Sequence, residues 1–312
     1  MKSIRSIGRE IYNVNYWRER RRYYIFLARC FFNKSKIEKI DAFFHQNKQL
    51  EEIASIYPFV YEQPTRAFFY NQSTFDERAA LVERHMDFVT RRFRPEVCRD
   101  LYTTKNIPLW DGGELDGQHL WGMLYYEAGQ RKEGLLSVVL RLDKKALYQM
   151  IFWISPNKKD DISMFIGAMQ GPNMENARDV VKKVTKYCHA YRTKNLILYL
   201  TQAVARALGI KHIYAVTNEG YYANNHLRTD RKLKTDFSEF WIEAGGHHTE
   251  DPRFDELPLI EVRKTMDEVP TRKRAVYRKR FAMLDALDAA VEKKMKELMV
   301  AGAGQWDSIK IS

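Results

Sequence analysis

The 312-residue sequence has few cysteines and no cysteine pair. Cys30, Cys98 and Cys188 are odd in number and widely spaced, which argues against a disulfide framework and against a CxxC metal site. This cysteine usage is typical of a reducing compartment. We therefore expect a cytoplasmic protein.

Long apolar runs and glycine-rich loops are also missing. No run approaches the ~20 residues that span a bilayer, and Arg29 interrupts the apolar stretch that follows Arg20–Arg22, so no signal peptide is predicted. The sequence has no P-loop, no G-x-S-x-G and no glycine-rich dinucleotide motif. "GGHHTED" holds His247 and His248, but adjacent histidines point apart and no second ligand pair stands nearby. We predict a surface loop there and no metal site.

The positive charge of the chain is concentrated in two segments. The net charge is +12, and residues 1–36 hold ten Lys/Arg against two Glu, while residues 263–280 hold eight Lys/Arg against two acids. Such segments attract the phosphates of nucleic acids, of lipid headgroups or of nucleotide-bearing cofactors. The alternative is a solvated face that only adds solubility.

The first 36 residues carry aromatic residues at helical spacing with arginines between them. The stripe consists of Tyr12, Tyr16, Tyr23, Leu27 and Phe31. A basic amphipathic helix of this kind can lie on an anionic membrane surface, which would make the protein peripheral on the inner membrane. The stripe can also pack on its own domain, and we favour that interpretation.

The remaining patterns predict an α+β fold. Residues 37–57 and 74–92 are expected to be helical, the second capped by Thr74 with Glu77, and "LWDGGELDG" (109–117) is expected to be a loop. Four apolar strands joined by short turns follow between His119 and Gly171 and indicate an antiparallel meander. The predicted regions are a basic segment 1–36, a helical region 37–110, an α/β core 111–225, a helical region 226–300 and a flexible tail 301–312.

Two helices and a strand follow the meander. One helix runs from Asn173 or Asn176 to about His189, and "NLILYLTQAVARAL" is a second helix that Gly209 closes. "KHIYAVTN" is then a strand, which we expect beside the strand that ends near Gly171. The basic residues Arg192 and Lys194 precede the second helix, whose N-terminus favours phosphate.

This order of elements resembles the GNAT acyltransferases. Arg192-Thr-Lys-Asn195-Leu-Ile197, the helix, Gly209-Ile-Lys, the strand and Asn218 look like the R/Q-x-x-G-x-G/A signature of that fold with its following elements. The resemblance covers roughly residues 119–225 and implies a GNAT-like sheet that is antiparallel to mixed, flanked by helices, with helical additions at both ends. It implies a phosphate site at Arg192, Lys194, Asn195 and Asn218, with acyl-CoA or aminoacyl-tRNA as donor. Asn195 and Ile197 stand where the signature has small residues.

Linked blocks over most of residues 60–290 resemble the bacterial VirK/YbjX family. They include "MFIGAMQGP", "VTKYCHAYRTKNLIL", "ALGIKHIYAVTN" and "PTRKRAVYRKRFAML". The Gln170-Gly-Pro, Thr185-Lys, His189-x-x-Arg192 and Lys273-Arg274 positions match its motifs, and Ala190-Tyr-Arg192-Thr193-Lys194 stands where the family commonly has Gly-x-Arg-Pro-Lys. The resemblance implies a role in virulence, envelope stress or resistance to cationic antimicrobial peptides, without an established reaction.

Three further residues are candidates for chemistry. Gln170 ends a strand at the expected cleft, where it either orients a carbonyl or serves the turn, and Tyr222 follows the last strand, where it could act as an acid. His189 lies three residues before Arg192 and is either a neutral base or a structural histidine.

Two functions remain open. The first is a divergent GNAT-like acyl- or aminoacyl-transferase, and the second is a non-catalytic accessory protein that binds anionic lipid or an acidic partner. The interleaved "TRKRAVYRKRF" (271–281) also admits nucleic-acid binding. We favour a docked amphipathic helix there, with its arginines in solvent.

Overall fold

The computed structural model describes residues 3–104, 106–224 and 236–302. Within them the chain forms eleven α-helices, two short 3₁₀ turns at Gln63–Thr65 and Ala128–Gln130, and eight strands in one open sheet. The coarse prediction of an α+β fold with helical additions at both ends is confirmed. The flexible tail predicted for 301–312 lies, from residue 303 on, outside the described residues, as do residues 225–235.

The first hundred residues are helical. The seven helices are α1 (Ile4–Ile11), α2 (Trp17–Phe32), α3 (Lys34–Phe44), α4 (Lys48–Ile56), α5 (Phe59–Glu62), α6 (Phe75–Arg92) and α7 (Pro95–Thr103). Thr74 and Glu77 form the predicted capping box of α6. The single helix predicted for 37–57 is instead two helices, because Asn47 caps a new one by accepting the Leu50 amide.

The sheet begins with five antiparallel strands. They are β1 (Pro108–Leu115), β2 (Gln118–Tyr125), β3 (Leu136–Leu142), β4 (Lys145–Pro156) and β5 (Ile162–Gln170). The loop predicted for 109–117 is wrong, since these residues form β1 and the turn after it. Register shifts in β1 and the positive φ of Gly113 break the alternating pattern that would have indicated a strand.

Two helices then return the chain to the sheet. They are α8 (Ala177–Tyr187) and α9 (Thr193–Ala207), and β6 (His212–Val216) follows. It lies beside β5, as predicted, and the pairing is parallel. Gly209 has a φ of +73° just after α9, which confirms its role in ending that helix. The helix packs across the sheet, and Gly122 lets Leu200 approach, because a Cβ there would lie 2.7 Å from Leu200 Cδ2.

The last third adds two helices and two strands. They are α10 (Phe237–Glu243), β7 (His247–His248), β8 (Phe254–Leu257) and α11 (Thr271–Leu298), and the complete strand order is β1-β2-β3-β4-β5-β6-β8-β7. The "GGHHTED" segment is therefore not only a loop, because His247 and His248 form an exposed edge strand paired with β8. Helix α11 packs on α9 and β1 with Leu284, Leu287 and Val291 buried, which confirms a docked helix. The expectation that all its arginines lie in solvent is wrong for Arg280, which is half-buried and bonded to the His189 and Ala190 carbonyls.

Candidate functional site

The candidate site lies at the carboxyl edge of β5 and β6, the parallel pair among the described strands. The pairing joins Ser163–Ile166 to His212–Ala215, and β5 then continues to Gln170. Because α9 runs back from this edge to the start of β6, its N-terminus is at the edge where β5 ends. In open sheets, ligands bind outside the carboxyl ends of parallel strands.

A groove of about 640 Å³ opens at the start of α9. We call it the α9 groove. Its walls come from the α8–α9 turn, from α10, from Glu261 and from the first turns of α11, and they include Tyr191, Arg192, Asn195, Phe240, Glu243, Glu261, Lys273, Tyr277 and Arg280. Two of the residues that the sequence placed at a phosphate site, Arg192 and Asn195, therefore line one cavity together with Lys273.

The first turn of α9 carries cations and open amides. Arg192 is the N-cap, and no side chain caps the helix, so its first two amides, those of Thr193 and Lys194, have no partner within the helix. The Arg192 side chain is 68% exposed, and its Nη1 lies 3.6 Å from Glu243 Oε2, which is also 3.7 Å from Lys194 Nζ. Lys194 stands 4.5 Å from the ring centre of Phe240. One carboxylate thus faces two cations at the groove.

Ile197 does not crowd this turn. Its side chain is fully buried in the core, and only Asn195 of the two departures from the glycine signature lines the groove. The backbone N–H of Asn195 donates to the Arg192 carbonyl at 2.9 Å. Its side chain ends in a carboxamide, which can itself form hydrogen bonds with a ligand in the groove.

The turn before α9 is held by α11. His189 and Ala190 have φ values of 54° and 57°, in the left-handed region that glycine prefers. Arg280 donates to the His189 carbonyl from Nε at 3.2 Å and Nη2 at 3.0 Å, and from Nη2 to the Ala190 carbonyl at 3.0 Å. The Arg280 guanidinium also stacks 4.3 Å from the ring centre of Tyr277. His189 thus contributes its backbone to the turn, while its role as a base stays a prediction.

A second group of polar side chains surrounds Glu133, which is 4% exposed. Gln170 Nε2 donates to Glu133 Oε2 at 2.7 Å, and the Tyr221 hydroxyl donates to Oε1 at 2.9 Å. Burial raises the pKa of Glu133, although both hydrogen bonds oppose this. We call these three residues with Tyr222 the Glu133 cluster.

Glycine makes room for this cluster. A Cβ at Gly167 would lie 1.8 Å from the Glu133 carbonyl oxygen, so only glycine lets the 133 segment lie against β5. Tyr222 contacts Tyr221 with ring centres 4.9 Å apart and Phe68 at 6.2 Å. Two of the predicted catalytic residues, Gln170 and Tyr222, therefore meet in one cluster, whereas His189 belongs to the α9 turn.

Helix α10 lies between the two groups. Phe237, at its start, is 5.7 Å from the Tyr221 ring, and Glu243, at its end, contacts Arg192. Six residues of helix span about 9 Å, so the two α10 residues that touch these groups lie about 9 Å apart along the helix axis. The Glu133 cluster and the α9 groove are therefore near opposite ends of α10.

Asn218 serves the start of α10. Its side-chain oxygen accepts the Phe237 amide at 2.9 Å, and its Nδ2 donates to Asp236 at 2.8 Å. Both the oxygen and the nitrogen of the Asn218 side chain are therefore engaged in hydrogen bonds. To contact a cofactor as predicted, Asn218 would have to break one of these bonds.

Sequence patterns did not identify Glu133 or Glu243. Glu133 lies in the short turn "GQRKEG" between two strands, where nothing local distinguishes a buried carboxylate from an exposed one. Lys273 was noted as a motif position, but its approach to Arg192 depends on the packing of α11. Long-range packing, not local spacing, creates these neighbours.

Comparisons with known proteins place this site in a family. The model of the family described as "Protein of unknown function (DUF535)" matches residues 15–293. An uncharacterized protein of Haemophilus influenzae is 28% identical over 86% of this chain and 87% of its own length. Uncharacterized protein YbjX of Escherichia coli is 34% identical over 40% of this chain and 38% of its own, and Membrane protein LapB of Mannheimia haemolytica is 26% identical over 60% and 79%.

No solved structure matches the chain. The matched residues contain both the α9 groove and the Glu133 cluster, since the family model covers all but the ends. The resemblance indicated by the linked sequence blocks is thereby confirmed. The chain belongs to the DUF535 family of proteins of unknown function, which is the VirK/YbjX family.

Proposed function

We propose that the protein is a divergent GNAT-like transferase that moves an acyl or aminoacyl group from a phosphate-bearing donor. The observation that carries this proposal is the placement of two groups of polar side chains near opposite ends of α10. A groove lined by Arg192 and Lys273, with Lys194 beside the groove residue Glu243, suits phosphates. A cluster of hydrogen-bonding groups lies at the end of β5.

In this proposal the helix N-terminus and the basic side chains hold the donor phosphates. Arg192, Lys194 and Asn195 act from α9, and Lys273 acts from α11. Gln170 orients the carbonyl of the transferred group, and Tyr222 or His189 transfers a proton. The reaction would belong to the setting that the family resemblance implies, which is bacterial envelope stress, virulence or resistance to cationic antimicrobial peptides.

Ligand-induced stabilisation tests the proposal. We expect acetyl-CoA, an aminoacyl-tRNA or ATP to raise the melting temperature of the wild type. Arg192→Ala should weaken that ligand about tenfold or more, because it removes a charge-assisted hydrogen bond. Arg278→Ala is the matched control, since Arg278 is exposed on α11 and does not line the groove.

Absence of any shift with all three probes, in a protein that melts cooperatively, would rule out the phosphate site and with it the transferase. If Arg192→Ala and Arg278→Ala lose ligand-induced stabilisation equally, the ligand is held by general charge attraction and not by a site at Arg192.

A second candidate function is peripheral attachment to an anionic membrane, and the outer face of α2 favours it. Trp17, Tyr24 and Phe31 repeat every seven residues, and with Tyr16 and Phe32 they are 63–82% exposed. Arg20 and Arg21 lie on the same side and are exposed. Exposed aromatics flanked by arginines suit the headgroup region of an anionic bilayer.

The predicted aromatic stripe is thus divided between two faces. Tyr12 and Tyr23 are buried and Leu27 is partly buried, as the packing interpretation expected, while Tyr16 and Phe31 face solvent. Among the described helices none is both long and apolar enough to cross a membrane. The attachment proposed here is therefore to the surface of a bilayer.

A further inference from the structure

A second groove, of about 420 Å³, lies on the face of β5, β6 and β8. Its sides are the β4–β5 turn, with Asn157, Lys158 and Lys159, and the segment around β7, with His247, Thr249 and Glu250. It shares no lining residue with the α9 groove. We call it the aromatic groove.

The floor of the aromatic groove is made of three rings. Phe165 stacks on Tyr214 with ring centres 5.1 Å apart and planes at 26°, and Phe254 meets Phe165 edge-on at 5.7 Å. Phe165 also stacks on the buried Trp153 at 5.5 Å. Phe165 and Tyr214 stay only half-buried, so part of each ring remains open to solvent next to polar walls.

Hydrogen-bonding groups of both kinds surround this floor. Asn157 Nδ2 donates to the Tyr214 hydroxyl at 3.3 Å. Glu256 is held by His212 Nδ1 at 2.7 Å and has His247 Nε2 at 3.6 Å. These contacts fix the positions of donors and acceptors beside the rings.

The charges of the rim nearly cancel. Two lysines, Lys158 and Lys159, face three acids, of which Asp251 is paired with Arg253 at 2.7 Å and Glu256 with imidazoles. A site for a strongly charged ligand would carry an excess of one sign. The aromatic groove instead suits a ligand with little net charge and many hydroxyl groups.

We propose that the aromatic groove binds a saccharide unit. A sugar ring presents C–H groups on its faces and hydroxyls around its edge, which is the same division as an aromatic floor and a polar rim. Its C–H face packs against the solvent-exposed parts of the Tyr214 and Phe165 rings, and its hydroxyls bond to Asn157, Glu250 and Glu256. The site is independent of the proposed transfer chemistry.

Saturation-transfer NMR with the full-length chain tests this assignment. The probes are glucose, galactose, N-acetylglucosamine and glucuronic acid at millimolar concentration, with adenosine and uridine as aromatic comparators. We expect transfer to the ring C–H protons of at least one sugar. Tyr214→Leu keeps apolar volume but removes the aromatic ring, and should weaken binding of that sugar about tenfold.

The matched control is Trp121→Leu, which removes a half-exposed ring on β2 outside the groove, and it should bind the sugar as the wild type does. Glu250→Gln changes an exposed rim group without touching the core and should also weaken binding. The assignment is overturned if no sugar receives saturation, if Tyr214→Leu binds as tightly as the wild type, or if only the nucleosides bind.

Discussion

Glu133 is the buried acid of the candidate site, and it makes stability depend on pH. Because burial raises its folded-state pKa above the ordinary 4.5, the fold favours the protonated carboxyl. The stability that this group contributes is fully present below pH 4.5 and is lost as the pH rises through the raised folded-state value.

Glu133→Gln keeps the shape of the side chain and removes the ionisation. The variant should therefore gain stability relative to the wild type as the pH rises, by about 1.4 kcal/mol for each unit by which the pKa is raised. Urea unfolding over a pH series measures this difference. Glu96→Gln, at an exposed acid on α7, should show no such trend, and parallel curves for Glu133→Gln and the wild type would refute the argument.

At the scale of elements, the α8–α9 turn has an unusual backbone for its sequence. Ala190 has a φ of 57°, where an L side chain costs roughly 1–2 kcal/mol and glycine does not. The VirK/YbjX pattern commonly has glycine at this position. The same pattern has proline three residues later, where this chain has Thr193. Thr193 is the first residue of α9, which is the helical position that proline prefers.

Ala190→Gly should therefore stabilise the protein by about 0.5–1 kcal/mol, after allowing for the greater freedom of glycine in the unfolded chain. The same substitution at Ala275, exposed inside α11, should destabilise it by a similar amount. Chemical denaturation of both variants measures the change in the free energy of unfolding, which should be positive for Ala190→Gly and negative for Ala275→Gly. Loss of stability in Ala190→Gly would mean that the turn tolerates alanine without strain.

The elements that sequence patterns predicted are those with strong local signals. The capping box at Thr74, the meander, α9 with Gly209 and the place of β6 beside β5 all follow from spacing and caps. Strand β1 was missed because glycines and register shifts interrupt its alternation, and β8 because a four-residue strand carries little pattern.

The candidate site divides in the same way. The place of Arg192 at the start of a helix can be predicted from the sequence, because the residues that begin a helix are recognised from their immediate neighbours. Three pairings depend on chain segments 37 to 91 residues apart: Glu133 with Gln170, Lys273 with Arg192 in the lining of one groove, and Arg280 with the 189–190 turn. Such contacts are fixed by tertiary packing, which no local period encodes.

For the whole molecule, one hydrophobic cluster runs from Ile7 to Leu298 and includes the N-terminal helices. Tyr12, Phe26 and Cys30 are buried in it, and Tyr12 bonds to the buried Glu62. Deleting residues 1–36 would therefore unfold part of the core as well as remove the outer face of α2. Membrane attachment must be tested by substitutions on that face alone.

We expect the intact protein to bind vesicles that contain phosphatidylglycerol and not vesicles of phosphatidylcholine, with binding that falls as salt rises. Replacing Arg20 and Arg21 by Gln should weaken binding roughly 30-fold, since each basic residue near an anionic surface contributes about 1 kcal/mol. Replacing Trp17, Tyr24 and Phe31 by Ser should abolish it, because the aromatic contacts with the headgroup region are lost. Sedimentation with vesicles measures each case.

The control replaces Ile260 and Val262 by Ser, because these side chains are 67% and 90% exposed but lie far along the chain from α2 and its arginines. It should bind as the wild type does. If it loses binding to the same extent as the α2 variants, attachment reflects general surface hydrophobicity. If wild type and all variants stay in solution with anionic vesicles at low salt, the exposed aromatic face of α2 has some other partner and the membrane proposal is wrong.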